Sequence, residues 1–193
     1  MANLNATPSI SIKEYEEALS QLAARREPHV FYNEGNEHAL VVFKTIFKNA
    51  KKSLYIVAKD LTNTEVSNAS EYIDSLSNFL NREDTKLNIM LTSVDNNIVR
   101  NTQVFRSIFN SNAYKRGNVN IFNLNGKKFK DGDNIVHFCF ADGQMYRIET
   151  DIENRKARGN FNDSSVAEGL LKSFQTGEKL ETTTKVNLSE IFI

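Results

Sequence analysis

HFCFADGQMYRIE, residues His137 to Glu149, alternates apolar and polar side chains on both sides of an Asp-Gly pair. Alternation at period two marks strands with one face in a core. Asp142-Gly143 between two such runs is a strong short-range signal for a β-hairpin. Side chains alternate along a strand, so His137, Cys139 and Ala141 point one way and Phe138 and Phe140 the other. On the return strand Arg147 and Glu149 share one face, and Tyr146 and Ile148 share the other.

What precedes the hairpin has a different rhythm. Ser11 with Glu14 forms a capping box for a helix carrying Ile12, Tyr15, Leu19, Leu22 and Ala23 on one side. Pro28 stops that helix. His29 to Asn33 reads as a short strand. Residues 37–50 follow as the clearest helix, with Ala39, Val42, Phe43, Ile46, Phe47 and Ala50 at helical spacing. The β-formers of 53–61 read as a buried strand, 70–82 as a helix, 86–94 as a strand, 97–115 as a helix of weaker period and 118–124 as a strand. Strand and helix thus alternate three times before the hairpin. That order predicts an α/β fold with a largely parallel or mixed sheet flanked by helices on both faces. "ARGNFND" (157–163) reads as a polar loop leading to a last helix over 165–175, with Asp163 or Ser164 as N-cap. The tail ends apolar, in "SEIFI", and suits an edge strand or an interface.

The 193 residues, 40% of them apolar with 13 Phe and 6 Tyr, bury a substantial core without covalent staples. Charges balance at 24 Lys and Arg against 24 Asp and Glu, so nothing global draws the chain to nucleic acid or an anionic membrane. One Cys excludes an intramolecular disulfide, and three scattered His show no zinc-ligand spacing. No cofactor or metal is expected. The first eleven residues read as a loose leader without a secretion signal, and no apolar run approaches the roughly 18 residues of a membrane span. The expectation is a soluble, cytoplasmic protein.

The helix start after "ARGNFND", with free amides beside basic residues, is a plausible anion site. At this point the residues resemble a known family. A three-fold β/α alternation, a strand opened by His137, the Asp142-Gly143 turn, a second strand and the Asn-bearing segment at Asn160 resemble half of a phospholipase D-like domain. The resemblance covers residues 29 to 175, mostly as an order of elements. In active members the motif is H-x-K-x4-D followed by a Gly-Ser-x-x-Asn-like segment. Their His attacks phosphorus to form a phosphohistidine, Lys and Asn hold the phosphate, and two motif copies build one site. Here Cys139 stands at the Lys position and Gln144 at the Asp position, with Asp142 nearby in the turn. A fixed positive charge near the reacting oxygens is commonly the largest catalytic term, and losing one such donor costs about 2.7–4 kcal/mol. "DGQMYRIETD…ARGNFND" is also similar to a degenerate subgroup of such domains.

The resemblance implies a half-domain over 28–178, closed by the hairpin, preceded by a leader and extra helix over 1–27 and followed by a tail over 179–193. The favoured function is a non-catalytic, degenerate phospholipase D-like module that binds or regulates, with the profile of a bacterial accessory or defence-type protein. It would act as a homodimer or on a protein partner, with "SEIFI" as an exposed apolar contact. One alternative is a metal-independent phosphodiesterase or nuclease, in which a homodimer joins two His137 side chains, Arg147 replaces the missing Lys and Asn160 orients the phosphate. Arg147 and Glu149 are candidates in either case, against the plainer reading that same-face charges on a strand pair with each other in water. A third reading is a nucleic-acid binder without catalysis, carried by Lys127, Lys128, Lys130, Lys156 and Arg158, against the plainer reading of a solvated basic loop. Cys139 between two Phe reads as an inert small hydrophobe.

Overall fold

The structure, a computed structural model, describes residues 10–192; the expected leader lies, up to residue 9, outside the described residues. Helix α1 (Ile12–Arg25) begins at the Ser11–Glu14 capping box and ends at Arg26, whose φ of 51° turns the chain out of the helix. Tyr15, Leu19 and Ala23 of α1 are buried, and the Tyr15 hydroxyl donates to the carbonyl of Tyr32 at 2.9 Å. Strand β1 (Phe31–Asn33), helix α2 (Gly35–Asn49), strand β2 (Ser53–Ala58), helix α3 (Ser70–Leu80) and strand β3 (Lys86–Leu91) follow as the periodicity predicts.

The helix predicted over 97–115 is three helices, α4 (Asn96–Asn101), α5 (Gln103–Asn110) and α6 (Asn112–Lys115). The breaks fall where Thr102 and Ser111 adopt extended backbone, and the Ser111 hydroxyl caps α6 by accepting from the Tyr114 amide. Hydroxyl side chains compete with the helical ladder in this way, which explains the weak period of the stretch. After β4 (Val119–Asn123), a small ribbon of β5 (Lys130–Asp131) and β6 (Asn134–Ile135) leads to the hairpin strands β7 (His137–Ala141) and β8 (Met145–Asp151).

The sheet is mixed, in the order β1-β9-β8-β7-β2-β3-β4-β10. Only the β2–β3 and β3–β4 pairs are parallel; every other pairing is antiparallel. Two expectations are corrected here. The segment 157–163 is not a loop throughout: Lys156–Asn160 forms β9, which extends the hairpin into a meander and pairs with β1. The first predicted strand therefore lies at the sheet edge, antiparallel to β9, and not beside the parallel strands. Gly159 and the exposed charges at Lys156 and Arg158 hid β9, since a glycine weakens a strand interior and alternating charges leave no apolar run to mark one.

Helix α7 (Ser164–Glu178), N-capped by Asp163, covers one face of the sheet through Phe174 against Val57, Met90, Phe122, Phe138, Phe140 and Tyr146. Helices α1, α2, α3 and α5 cover the other face and enclose the larger core. The tail supplies β10 (Thr184–Lys185) to the β4 edge and a short α8 (Leu188–Ile191). "SEIFI" is not an exposed apolar contact. Leu188 and Ile191 are buried in the chain's own core and Phe192 stacks on Phe109 at 5.0 Å between ring centroids, while Ile193 lies outside the described residues. No helix among the described residues is long and apolar enough to cross a membrane.

The hairpin turn is anchored as well as tight. Asp142 and Gly143 both have positive φ, 53° and 66°. The Asp142 carboxylate accepts from the amides of Lys51, Lys52 and Ser53 at 2.6, 2.9 and 2.9 Å, which ties the hairpin to the start of β2. At the other end of the meander, a Cβ on Gly159 would lie 2.6 Å from the Tyr146 carbonyl oxygen and would strike the Phe31 ring. Gly159→Ala is expected to lower stability by roughly 1–3 kcal/mol through overpacking. Gly169→Ala, on the exposed side of α7 with open space around its Cβ, is expected to raise it by about 0.5–1 kcal/mol. Urea unfolding of the two variants beside wild type checks both signs.

Candidate functional site

Residue register brings the four polar groups of the meander together. His137 pairs with Glu149 across β7 and β8, and Cys139 pairs with Arg147. Alternation places all four on the face toward α2, with Asn33 of β1 on the same side. Arg147 and Glu149 are 2% and 4% exposed, so these charges are inside the protein. Arg147 donates through Nε to Asn33 Oδ1 at 3.1 Å and through Nη2 to Glu149 Oε1 at 3.1 Å. Its guanidinium carbon lies 5.0 Å from the centre of the Phe43 ring. The second carboxylate oxygen, Oε2, meets His137 Nδ1 at 3.2 Å and Arg155 at 3.5 Å. Asn33 is held in turn by its amide, which donates to the Arg155 carbonyl at 2.9 Å.

Burial raises the pKa of Glu149, but the bond from His137 and the charge and bond of Arg147, with Arg155 behind them, outweigh it and hold the carboxyl below the ordinary glutamate range. Burial pushes the Cys139 thiol up to about 12, against the opposing charge of Arg147, so the sulfur stays protonated and inert.

Above this group lies a cavity of about 310 Å³. Its wall comes from Phe43 of α2, Ile56 of β2, Tyr72 of α3 and the loop after β2, with Lys59, Asp60 and Arg155 at the mouth. The loop is built by short polar side chains: Asp60 accepts from the Thr62 amide at 3.0 Å, and Asn63 from the amides of Glu65 and Val66 at 2.9 and 2.8 Å. The site therefore sits where the parallel strand β2 ends and the antiparallel strand β7 begins.

The architecture matches solved structures. The fold is phospholipase D-like. Nuc from Salmonella typhimurium, a phospholipase D family member, superposes with a TM-score of 0.55 at 16% identity over 83% of this chain and 99% of its own. A phosphatidylserine synthase from Haemophilus influenzae gives a TM-score of 0.54 at 13% identity over 84% of this chain and 40% of its own. The archaeal chromatin protein TrmBL2, whose structure shows a novel mode of DNA binding, gives 0.52 at 19% identity over 85% of this chain. This chain spans 59% of the chromatin protein's length. No protein-family model matches the sequence, and no curated protein matches it.

Within this phospholipase D-like fold, His137, Arg147 and Glu149 come together, and Asn160 does not. Asn160 pairs with Tyr146 in register, on the α7 side of the sheet, where its Oδ1 accepts from the Asn162 amide at 2.9 Å. The helix start beyond it is not an open anion site, because the Asp163 carboxylate already accepts from the Val166 amide at 3.1 Å. Lys127, Lys128 and Lys130 are exposed on the excursion between β4 and β6, while Lys156 and Arg158 lie on β9. The Lys156 ammonium is 3.5 Å from Glu34. Sequence reasoning missed Asn33, Phe43, Lys59, Tyr72 and Arg155. Asn33 had a signal, a polar residue closing an apolar strand on the inward side; Arg155 had none, since it sits in a turn among other charges.

Two outcomes follow from the buried pair. Glu149→Ala leaves Arg147 buried without its counter-charge and is expected to cost about 3–5 kcal/mol. A carboxyl whose native pKa lies below its unfolded value contributes stability that is complete above the unfolded value of about 4.3 and is lost as pH falls through the native one. Glu149→Gln should therefore flatten the acid limb of the stability profile. Urea midpoints measured from neutral pH downward check this, and an acid limb identical to wild type would remove Glu149 as its source.

Proposed function

We propose that this chain is a non-catalytic phospholipase D-like module that binds a ligand in the cavity above Arg147. One observation carries the reading. The guanidinium that faces Cys139, and so stands nearest the charge that Cys139 cannot supply, is already neutralised by Glu149 and tied to Asn33. A cation held in a buried ion pair is preorganised for its own carboxylate, and offers little differential stabilisation to charge that develops on a substrate. Asn160, on the other face, adds nothing to phosphate binding there.

The enzymatic reading keeps one favourable observation. Glu149 holds Nδ1 of His137, which leaves Nε2 as the free ring nitrogen, and a carboxylate behind an imidazole is how a reactive histidine is oriented. In that reading Arg147, the residue the sequence offers in place of the missing Lys, is tied to Glu149, and Arg155, which also lines the cavity, takes that role instead.

Turnover of a chromogenic phosphodiester and of single- and double-stranded DNA and RNA, with and without EDTA, separates the two for wild type and His137→Ala. The expected result is no turnover by either protein. EDTA-resistant turnover by wild type that disappears in His137→Ala would establish a variant phosphodiesterase instead. Retention of nucleic acid without turnover, with affinity falling as salt rises and lost on neutralising Lys127, Lys128 and Lys130, would favour a nucleic-acid binder.

A further inference from the structure

The cavity above Arg147 offers more hydrogen-bond donors than acceptors. Arg147 uses Nε on Asn33 and Nη2 on Glu149, and its Nη1 has no hydrogen-bond partner among the described residues, although the residue is 2% exposed and lines the cavity. A guanidinium has five N–H donors and no acceptor. Arg155, with a side chain 29% exposed, meets Glu149 through one nitrogen and keeps its others for the mouth of the cavity. Both oxygens of Glu149 are engaged, Oε1 by Arg147 and Oε2 by His137 and Arg155. The hydroxyl of Tyr72 is fully buried against the same cavity with no hydrogen-bond partner among the described residues. Burial raises its pKa, so it is a neutral donor.

The charges lining the cavity do not balance. Lys59, Arg147 and Arg155 face Asp60 and Glu149, which leaves one positive charge in excess. Phe43, Ile56, Leu61 and Val66 supply an apolar part of the wall, beside the polar side chains of Thr62, Asn63, Ser67 and His137. At about 310 Å³ the space is at the small end for a ligand pocket.

We propose that this cavity binds a small monocarboxylate with an apolar body, its carboxylate on Arg147 and Arg155 and its hydrocarbon against Phe43, Ile56 and Leu61. The excess of one charge matches a monoanion and undercompensates the nearly double charge of a phosphomonoester. A phosphodiester is also a monoanion, but it carries a substituent on each side of phosphorus and needs a groove open at both ends. A carboxylate ends its chain, which suits a cavity floored by buried Tyr72, Arg147 and Glu149. Planar carboxylates also match the guanidinium fork. The inference rests on the reading of the domain as a binding module.

Calorimetric titration of the full chain with hexanoate and benzoate, against hexanol, benzyl alcohol and dimethyl phosphate, tests it. Both acids are expected to bind at millimolar concentration or tighter, with the alcohols and the phosphate diester about tenfold weaker or silent. Arg155→Ala, which changes a partly exposed residue, should weaken the acids about tenfold in a variant that still unfolds cooperatively. Amide shifts on hexanoate binding should fall on β2, the loop after it and β8. Alcohols that bind as well as acids, binding of dimethyl phosphate alone, acid affinity unchanged in Arg155→Ala, or no acid binding would each overturn the inference. A chain that turns over no diester and binds no acid would defeat this inference and leave the non-catalytic reading standing; diester turnover would defeat both.

Discussion

Two opposite charges, Arg147 and Glu149, lie almost wholly inside the protein on one strand. Removing them from water is costly, and their attraction offsets that cost only where the remaining donors and acceptors are also satisfied. Asn33 of β1, His137 of β7, Arg155 of the β8–β9 turn and the Phe43 ring of α2 meet that demand between them. Each comes from a different element, so the pair fixes where β1, β7, β8 and α2 can sit. It also fixes register. A slip of one residue in β8 would move both charges to the α7 face, among Phe138, Phe140 and Phe174, where nothing would pair them.

The same register explains the mixed sheet. β2 has a parallel neighbour on one side and an antiparallel one on the other, and the junction is held at one end by Asp142 on three successive amides. At the other end the strands diverge, because the chain leaves β2 into the loop at Asp60 while β7 arrives at His137 from the β5–β6 ribbon. That divergence opens the cavity. An Asp in the turn therefore has a structural task, and its carboxylate has no free capacity near the cavity.

Much of this was legible in the residues. Period-two alternation around Asp142-Gly143 located the hairpin and put Arg147 and Glu149 on one face of the return strand; that His137 shares this face follows only from the register between the strands. The three β/α repeats located β2, β3 and β4, whose pairing is parallel. What was not legible depended on pairing at a distance. Nothing local distinguishes β1 as an edge strand from β1 as the first of a parallel series, because its three residues satisfy either. β9 was hidden by charges and a glycine, and Gly159 is required there by the approach of Phe31, a residue more than a hundred positions away. The tail illustrates the same limit: "SEIFI" is apolar for the sake of the chain's own core, and a sequence alone does not say which core an apolar stretch joins.

On the non-catalytic reading, the substitution at Cys139 and the pair at Arg147 and Glu149 belong together. On that reading, a small apolar thiol at the position where the resembled family carries Lys means that no mobile ammonium is present there. The guanidinium directly across the ladder fills that side of the site, but on a shorter leash, with Asn33, Glu149 and Phe43 holding three of its faces. A charge held this firmly is suited to recognise a ground-state ligand through Nη1, which has no partner among the described residues, since binding gains from a fixed donor whether or not any bond is broken. Rate acceleration needs more, a donor whose interaction strengthens as the reaction proceeds. Glu149 sets that limit, because it supplies to Arg147 in the resting protein the negative charge that a transition state would otherwise have to bring.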